Sequence, residues 1–293
     1  MMHSQRDFSR SEKWTWQRPA TAGHPATIRA GRRFLESTYV LPKDIQEVHR
    51  LDFQHYLLRH ALKGNYLAPI GVPQYILDVG AGTGRWGREM ATLFPMAHVI
   101  GMDLETAESS GPTPSNYTFA TGNVLERLPA RDETFHFVHQ RLLVAAIPAL
   151  RWPQVIGELR RVTRPEGWLE LVEAGMETLQ PGPLTTQLLQ WGLQASLPHG
   201  LDARIIPHLD HLLHEAGFRV VYKHTLDIPI GSWGGRLGTM MQENLLAAFG
   251  ALEALYTHRA GTTEAFVDLI GQLPQEWERY QTSYRFFIFY AQK

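Results

Sequence analysis

The chain has 293 residues, 44% of them hydrophobic, which is enough for one large domain with a sizeable core. Its 28 Lys and Arg nearly cancel its 29 Asp and Glu and gather into no long block, so the electrostatic footprint of a nucleic-acid binder is missing. Cysteine is absent, which removes disulfides, thiolate nucleophiles and cysteine-ligated zinc from the available chemistry.

Residues 1–35 mix basic and polar side chains with Pro19, Pro25, Trp14 and Trp16 and show no periodicity, so they read as a mobile N-terminal arm. No apolar core of a secretory signal lies there, and no later apolar run approaches the roughly 18 to 20 residues of a membrane span. The expectation is a soluble, cytoplasmic protein that engages neither membrane nor nucleic acid. After Leu41-Pro42, Asp44 is placed to cap a helix in which Val48, Leu51, Leu58 and Leu62 recur at helical spacing, and which ends near Gly64-Asn65.

A strand over 75–79 follows, then a glycine turn and a helix carrying Trp86, Met90 and Phe94 up to Pro95. Residues 97–103 form a second strand, 106–116 a Ser, Pro and Gly-rich loop, 117–121 a third strand and 135–139 a fourth. Residues 152–164 read as a helix closed by Pro165-Glu166-Gly167, and 168–173 as a fifth strand. Strands and helices in alternation predict a parallel sheet covered on both faces. From Gly175 the rhythm changes: helices over 183–197 and 205–216, a strand over 218–226, a long helical stretch, and a last strand over 284–291.

The turn reads Ile76-Leu77-Asp78-Val79-Gly80-Ala81-Gly82-Thr83-Gly84. Gly82, Gly84 and Gly87 fit the dinucleotide pattern GxGxxG, with Asp103 about twenty residues on. The frame is wrong for it, because the glycine that closes the strand is Gly80, and the third position then falls on Arg85 where close helix packing wants glycine or alanine. Asp78 at the mouth of the turn repels a pyrophosphate and attracts a cationic amine. A ligand with a ribose for Asp103 and a positively charged methionine end for Asp78 is S-adenosylmethionine, which leaves S-adenosylhomocysteine as product.

These residues carry a family resemblance. The stretch 76–84 resembles motif I of class I S-adenosylmethionine-dependent methyltransferases, and Val99-Ile100-Gly101-Met102-Asp103-Leu104 resembles their second acidic motif. Leu41-Pro42-Lys43-Asp44, Arg50-Leu51-Asp52, Gln54-His55, Leu67-Ala68-Pro69-Ile70 and the run 167–173 are similar to the LaeA-like, or TAM-domain, methyltransferases of secondary metabolism. The resemblance implies an α/β, Rossmann-like sheet of seven strands in the order 3-2-1-4-5-7-6, its last strand antiparallel, with a helical cap. Residues 36–293 would form this methyltransferase domain. The N-terminal helix and inserts 175–205 and 232–282 would wall a pocket for a small-molecule, apolar or aromatic natural-product acceptor.

Residue by residue, the resemblance puts Gly80, Ala81, Gly82 and Gly84 along the methionine half, Asp103 on the ribose hydroxyls, Leu104 on the adenine, and Asn123 with Val124 at the adenine edge. Tyr39 would close over the cofactor, and Gln140 and Arg141 would stand beside the methionine end. Two readings stand for Trp86, cofactor contact and core packing. His139, His199 and Glu173 are the candidate catalytic side chains, Glu173 either positioning substrate or holding another residue of the site. His55 and Arg59, one helical turn apart, could share the cleft. His208, His211 and His214 recur every three residues on one helix, but without a carboxylate ligand in a recognised spacing they read as a solvated face, and no metal is expected. Trp191, Trp233, Met240, Met241, Phe249 and Tyr256 are candidate acceptor-pocket walls. The transfer, to O, N or C, would be an in-line attack on a sulfonium methyl. Two rivals stay open: a nicotinamide-dependent oxidoreductase on the same sheet, and a LaeA-like regulator acting through protein partners. A homo-oligomer is compatible with both the aromatic arm and the apolar cap.

Overall fold

The computed structural model describes residues 26–29, 32–35, 41–105 and 112–293. The first pair of strands is a correction to the unstructured arm: β1 (Ala26–Arg29) and β2 (Arg32–Leu35) pair antiparallel, Thr27 opposite Phe34 and Ile28 opposite Arg33. The short stretch alternates β-branched, aromatic and basic side chains, too briefly for the pattern to stand out in sequence. Residues 1–25 lie outside the described residues.

Helix α1 (Ile45–Leu62) starts where expected, with the Asp44 carboxylate accepting from the Glu47 N–H at 3.0 Å. β3 (Tyr75–Val79) is buried almost throughout and turns into α2 (Arg85–Leu93); β4 (His98–Asp103) and β5 (Tyr117–Thr121) follow. β6 (Phe135–Arg141) runs two residues past the expected end, and α3 (Trp152–Val162) leads to β7 (Thr163–Leu179). β7 is longer than its sequence signal because Pro165-Glu166-Gly167 is a bulge rather than a stop: its pairing to β6 jumps from Thr163 to Trp168, with Glu166 at φ 62°.

Beyond β7 come α4 (Pro183–Ser196), a 3₁₀ turn over Ala203–His208, α5 (Leu209–Glu215) and β8 (Val220–Pro229). The single helix expected over 205–216 is thus split, since Pro207 has no N–H to continue a helical ladder. α6 (Gly235–Ala251), α7 (Glu253–Ala260) and α8 (Thr263–Tyr280) form the cap, and β9 (Ser283–Gln292) closes the chain.

The sheet runs β5-β4-β3-β6-β7-β9-β8, with β9 antiparallel to both neighbours. Renumbered along the sheet, this is 3-2-1-4-5-7-6, as the resemblance implied. Leu77, Val79, Phe135, Val138 and Trp152 are among the buried side chains on one face, and Ile76, Trp86, Met90 and Phe137 on the other. A third cluster, including Leu57, Leu188, Met241, Leu273 and Trp277, joins α1 to the cap. No helix among the described residues is long and apolar enough to cross a membrane.

Candidate active site

The carboxyl ends of β3, β4 and β6 open on a cavity of about 310 Å³, where ligands of open parallel sheets are expected. Its floor is the glycine turn. Gly80 and Gly82 take φ of 70° and 55°, and a Cβ on Gly80 would stand 2.5 Å from the Leu143 side chain. The amides of Gly80 and Ala81 donate to the Met102 carbonyl, and that of Gly82 to Asp103 Oδ2 at 2.8 Å, so the turn is tied to the neighbouring strand. Gly84, the helix N-cap at φ 71°, lies off the cavity wall; a Cβ there would stand 2.5 Å from the Tyr117 hydroxyl.

Helix α1 clamps the turn from above. Asp52 accepts from Thr83 Oγ1 at 2.6 Å and from Arg85 at 2.9 Å, which gives Arg85 an occupation that a dinucleotide-binding glycine would not have. Asp103 also accepts from Lys43 Nζ at 2.7 Å. Lys43 in turn is tied through its backbone to Arg33, whose guanidinium grips Glu105 with two bonds of 2.9 Å. Lys43 is a wall residue that the sequence reading passed over, although it lies within a motif quoted there.

Asp78 is 3% exposed; Oδ1 lies 3.1 Å from His139 Nδ1, and Oδ2 has no hydrogen-bond partner among the described residues. A buried carboxylate oxygen without a donor is costly unless a ligand supplies one. His139 is itself buried, its ring stacked on Trp86 at 3.8 Å between centroids, and burial holds its pKa below the ordinary range. It does not line the cavity, which corrects its placing as a base beside the acceptor: a side chain in the middle of a strand covered on both faces is enclosed. Trp86 packs in the core at 2% exposure, with one edge on the cavity wall, and donates from Nε1 to the Asn65 carbonyl at 2.8 Å.

Glu173 is also behind the wall. It is fully buried, accepts from Gln140 Nε2 and from the amides of Leu143 and Val144, and burial pushes its pKa up to about 7. It therefore holds the 143–144 backbone, which does line the cavity. Gln140 likewise lies behind the wall, and exposed His199 lies away from it, in the turn after α4. Tyr39 lies outside the described residues.

Ala81, Leu104, Asn123, Val124 and Arg141 are on the wall with Gly80, Gly82, Asp78 and Asp103. Asn123 Oδ1 caps its own turn by accepting from the Leu125 amide at 3.0 Å. Arg141 meets His55 Nδ1 at 3.2 Å but forms no ion pair among the described residues, and burial lowers its pKa. His55 lines the cavity whereas Arg59 is half exposed; both reach Glu89.

The far end of the cavity is built by α6 through Met241, Leu245, Ala248 and Phe249, with Leu189, Leu252, Tyr256, Tyr284 and Phe286. Of the candidate wall residues, Met241, Phe249 and Tyr256 line this cavity, while Trp191, Trp233 and Met240 do not. His208, His211 and His214 are exposed.

Residues 76–167 match a methyltransferase domain family. The chain is 30% identical over 263 residues to the methyltransferase pytC of Aspergillus terreus, covering 84% of this chain and 77% of that one. It belongs to the S-adenosylmethionine-dependent methyltransferases. The methyltransferase is also 31% identical over 209 residues to the N-methyltransferase verN of Clonostachys rogersoniana, 67% of this chain and 70% of that one. It is 26% identical over 213 residues to the secondary metabolism regulator LAE1 of Cochliobolus heterostrophus, 68% of each chain. The cofactor of this methyltransferase is S-adenosylmethionine, and the orphaned Asp78 oxygen and the bare glycine backbone beside it suit that ligand's ammonium end. The nicotinamide rival falls with this assignment.

Proposed function

We propose that the methyltransferase moves a methyl group from S-adenosylmethionine to an apolar or aromatic small molecule of secondary metabolism seated between α1, α4, α6 and β9. Bound cofactor supplies an electrophilic methyl on a sulfonium. Asp78 Oδ2 would take the ammonium, Arg141 the carboxylate, Asp103 the ribose hydroxyls, and Leu104, Asn123 and Val124 the adenine. The observation that carries this reading is a buried carboxylate oxygen on Asp78 without a hydrogen-bond partner, together with a guanidinium on Arg141 that makes no ion pair, both among the described residues: an acceptor and a donor on one cavity, suited to an α-amino acid.

Because the candidate bases His139, His199 and Glu173 are off the wall, the chain's contribution is alignment and exclusion of water. The apolar side chains of α6 remove water from the acceptor, and the Glu173-held backbone fixes the seam between the two ends. Titration with S-adenosylhomocysteine is expected to raise the melting temperature, whereas NAD is not; stabilisation by NAD alone would sink the reading. Similarity to the LAE1 regulator favours a second reading, cofactor binding in the service of a protein partner. Radiolabelled methyl appearing in protein and never in a small-molecule extract would favour it.

A further inference from the structure

The acceptor end of the cavity is walled mainly by apolar side chains; the Tyr284 hydroxyl there already donates to the Gly175 carbonyl at 2.9 Å, whereas two side chains of the cap keep a donor without a partner among the described residues. Asn244 is 3% exposed and sits on the face of α6 that carries Met241, Leu245, Ala248 and Phe249. Its Oδ1 faces Arg50 Nη1 at 3.4 Å, and Arg50 is held by both oxygens of Glu47 at 2.9 and 2.5 Å. The reverse amide orientation would set two donors against each other, so the guanidinium fixes the rotamer and leaves the NH₂ on the cavity side. That NH₂ has no hydrogen-bond partner among the described residues, although the residue is buried.

Tyr256 is the second group. It lines the same end, is 6% exposed, and its hydroxyl makes no hydrogen bond among the described residues. Burial pushes its pKa up, so it remains a phenol and a donor. Gly192 of α4 makes room for that hydroxyl, since a Cβ there would stand 2.5 Å from it. Among the described residues no carboxylate lines this end; the two acidic wall residues among them, Asp78 and Asp103, stand at the ends of β3 and β4.

Resting on the reading of this end as the acceptor chamber, we infer that Asn244 and Tyr256 form an oxygen-recognition site: the acceptor is an apolar molecule carrying a carbonyl, phenol or enol oxygen that takes hydrogen bonds from the two. The handle is separate from the atom methylated, so it serves an N- as well as an O-acceptor with a neighbouring carbonyl. A buried donor left unpaired costs about 1–3 kcal/mol, which is why such a chamber rejects a pure hydrocarbon of the same shape and a donor-only ammonium.

The test uses two shape-matched probes, 2-acetylnaphthalene and 2-isopropylnaphthalene, titrated by calorimetry into the full chain saturated with S-adenosylhomocysteine. The ketone is expected to bind about tenfold more tightly, one net hydrogen bond's worth. Tyr256→Phe, which removes only the hydroxyl, is expected to shrink that preference about threefold. Asn244→Asp keeps an acceptor for Arg50 but turns the cavity-facing donor into an acceptor, and is expected to abolish the preference. Equal affinity for the two probes on the wild type, failure of both to bind included, overturns the inference, as does a preference that survives Asn244→Asp. S-adenosylhomocysteine titrated alone reports on the cofactor reading separately: a wild type that discriminates the probes yet does not bind it refutes that reading and retains this one.

Discussion

The two ends of the cavity are built on opposite principles. At the cofactor end most polar groups are pre-positioned by another polar side chain: Asp103 by Lys43, Thr83 and Arg85 by Asp52, and Asp78 Oδ1 by His139. At the acceptor end the wall is a helix face of Met, Leu, Ala and Phe, relieved by Asn244, Tyr256 and Tyr284. A ligand that never changes can be met by fixed dipoles and strained glycines, whereas an apolar acceptor is met by shape and water exclusion. Damage at the first end should therefore be sharp, and at the second graded.

The harshest break of that contrast is Gly80→Ala. It forces a non-glycine residue to φ 70° and drives its Cβ to 2.5 Å from Leu143. Loss of detectable methyl transfer is expected, with destabilisation of about 1–3 kcal/mol read by urea denaturation.

Next comes the sheet that both ends share. Burial pushes Glu170 up to about 7 from 4.5, while Oε2 accepts from the amides of Leu67 and Ala68. The folded chain then binds the proton more tightly than the unfolded one. Stability is fullest below pH 4.5 and falls as the pH rises to about 7, by on the order of 3 kcal/mol from this group. Glu170→Gln keeps an acceptor for both amides and should flatten that part of the profile of unfolding free energy against pH.

Asp103→Asn removes the charge that would hold the ribose hydroxyls and that pairs with Lys43. S-adenosylhomocysteine affinity measured by calorimetry is expected to fall roughly thirtyfold, about 2 kcal/mol. Arg141→Gln sharpens the assignment within the same end. A roughly tenfold loss for S-adenosylhomocysteine is expected, with none for 5′-methylthioadenosine, which lacks the amino-acid part. Equal losses for both ligands would move Arg141 away from the carboxylate.

The same contrast explains what could be read in advance. Strands 75–79 and 117–121 stand at the boundaries their apolar runs suggested, and the glycine turn declared itself because three left-handed glycines between a strand and a helix have few other uses. Local signals fail where a role depends on what lies opposite. His139 and Glu173 carry reactive side chains at promising strand positions, but Trp86 covers one and the 143–144 backbone occupies the other. Arg50 and Asn244 are 194 residues apart, and nothing local to either announces the pair. Trp191 and Trp233 looked like pocket walls because bulk was the only available clue; the side chains that do the walling, Ala248 and Leu245, are unremarkable in sequence.

Tyr117 extends this point. A Cβ on Gly84 or Gly101 would stand 2.5 or 2.2 Å from its hydroxyl, and one on Gly87 2.5 Å from its ring, so one aromatic residue on β5 dictates glycine in the turn, on α2 and on β4. These four positions form a unit that can change only together. Enlarging any one of the glycines means shrinking the tyrosine, and shrinking the tyrosine alone opens a hole beneath the turn. The spacing between the start of α2 and β4 is thus filled by a side chain that is not on the cavity wall. A methyltransferase with a smaller side chain at this place would be free to carry alanines there and to hold its ligand at a different span.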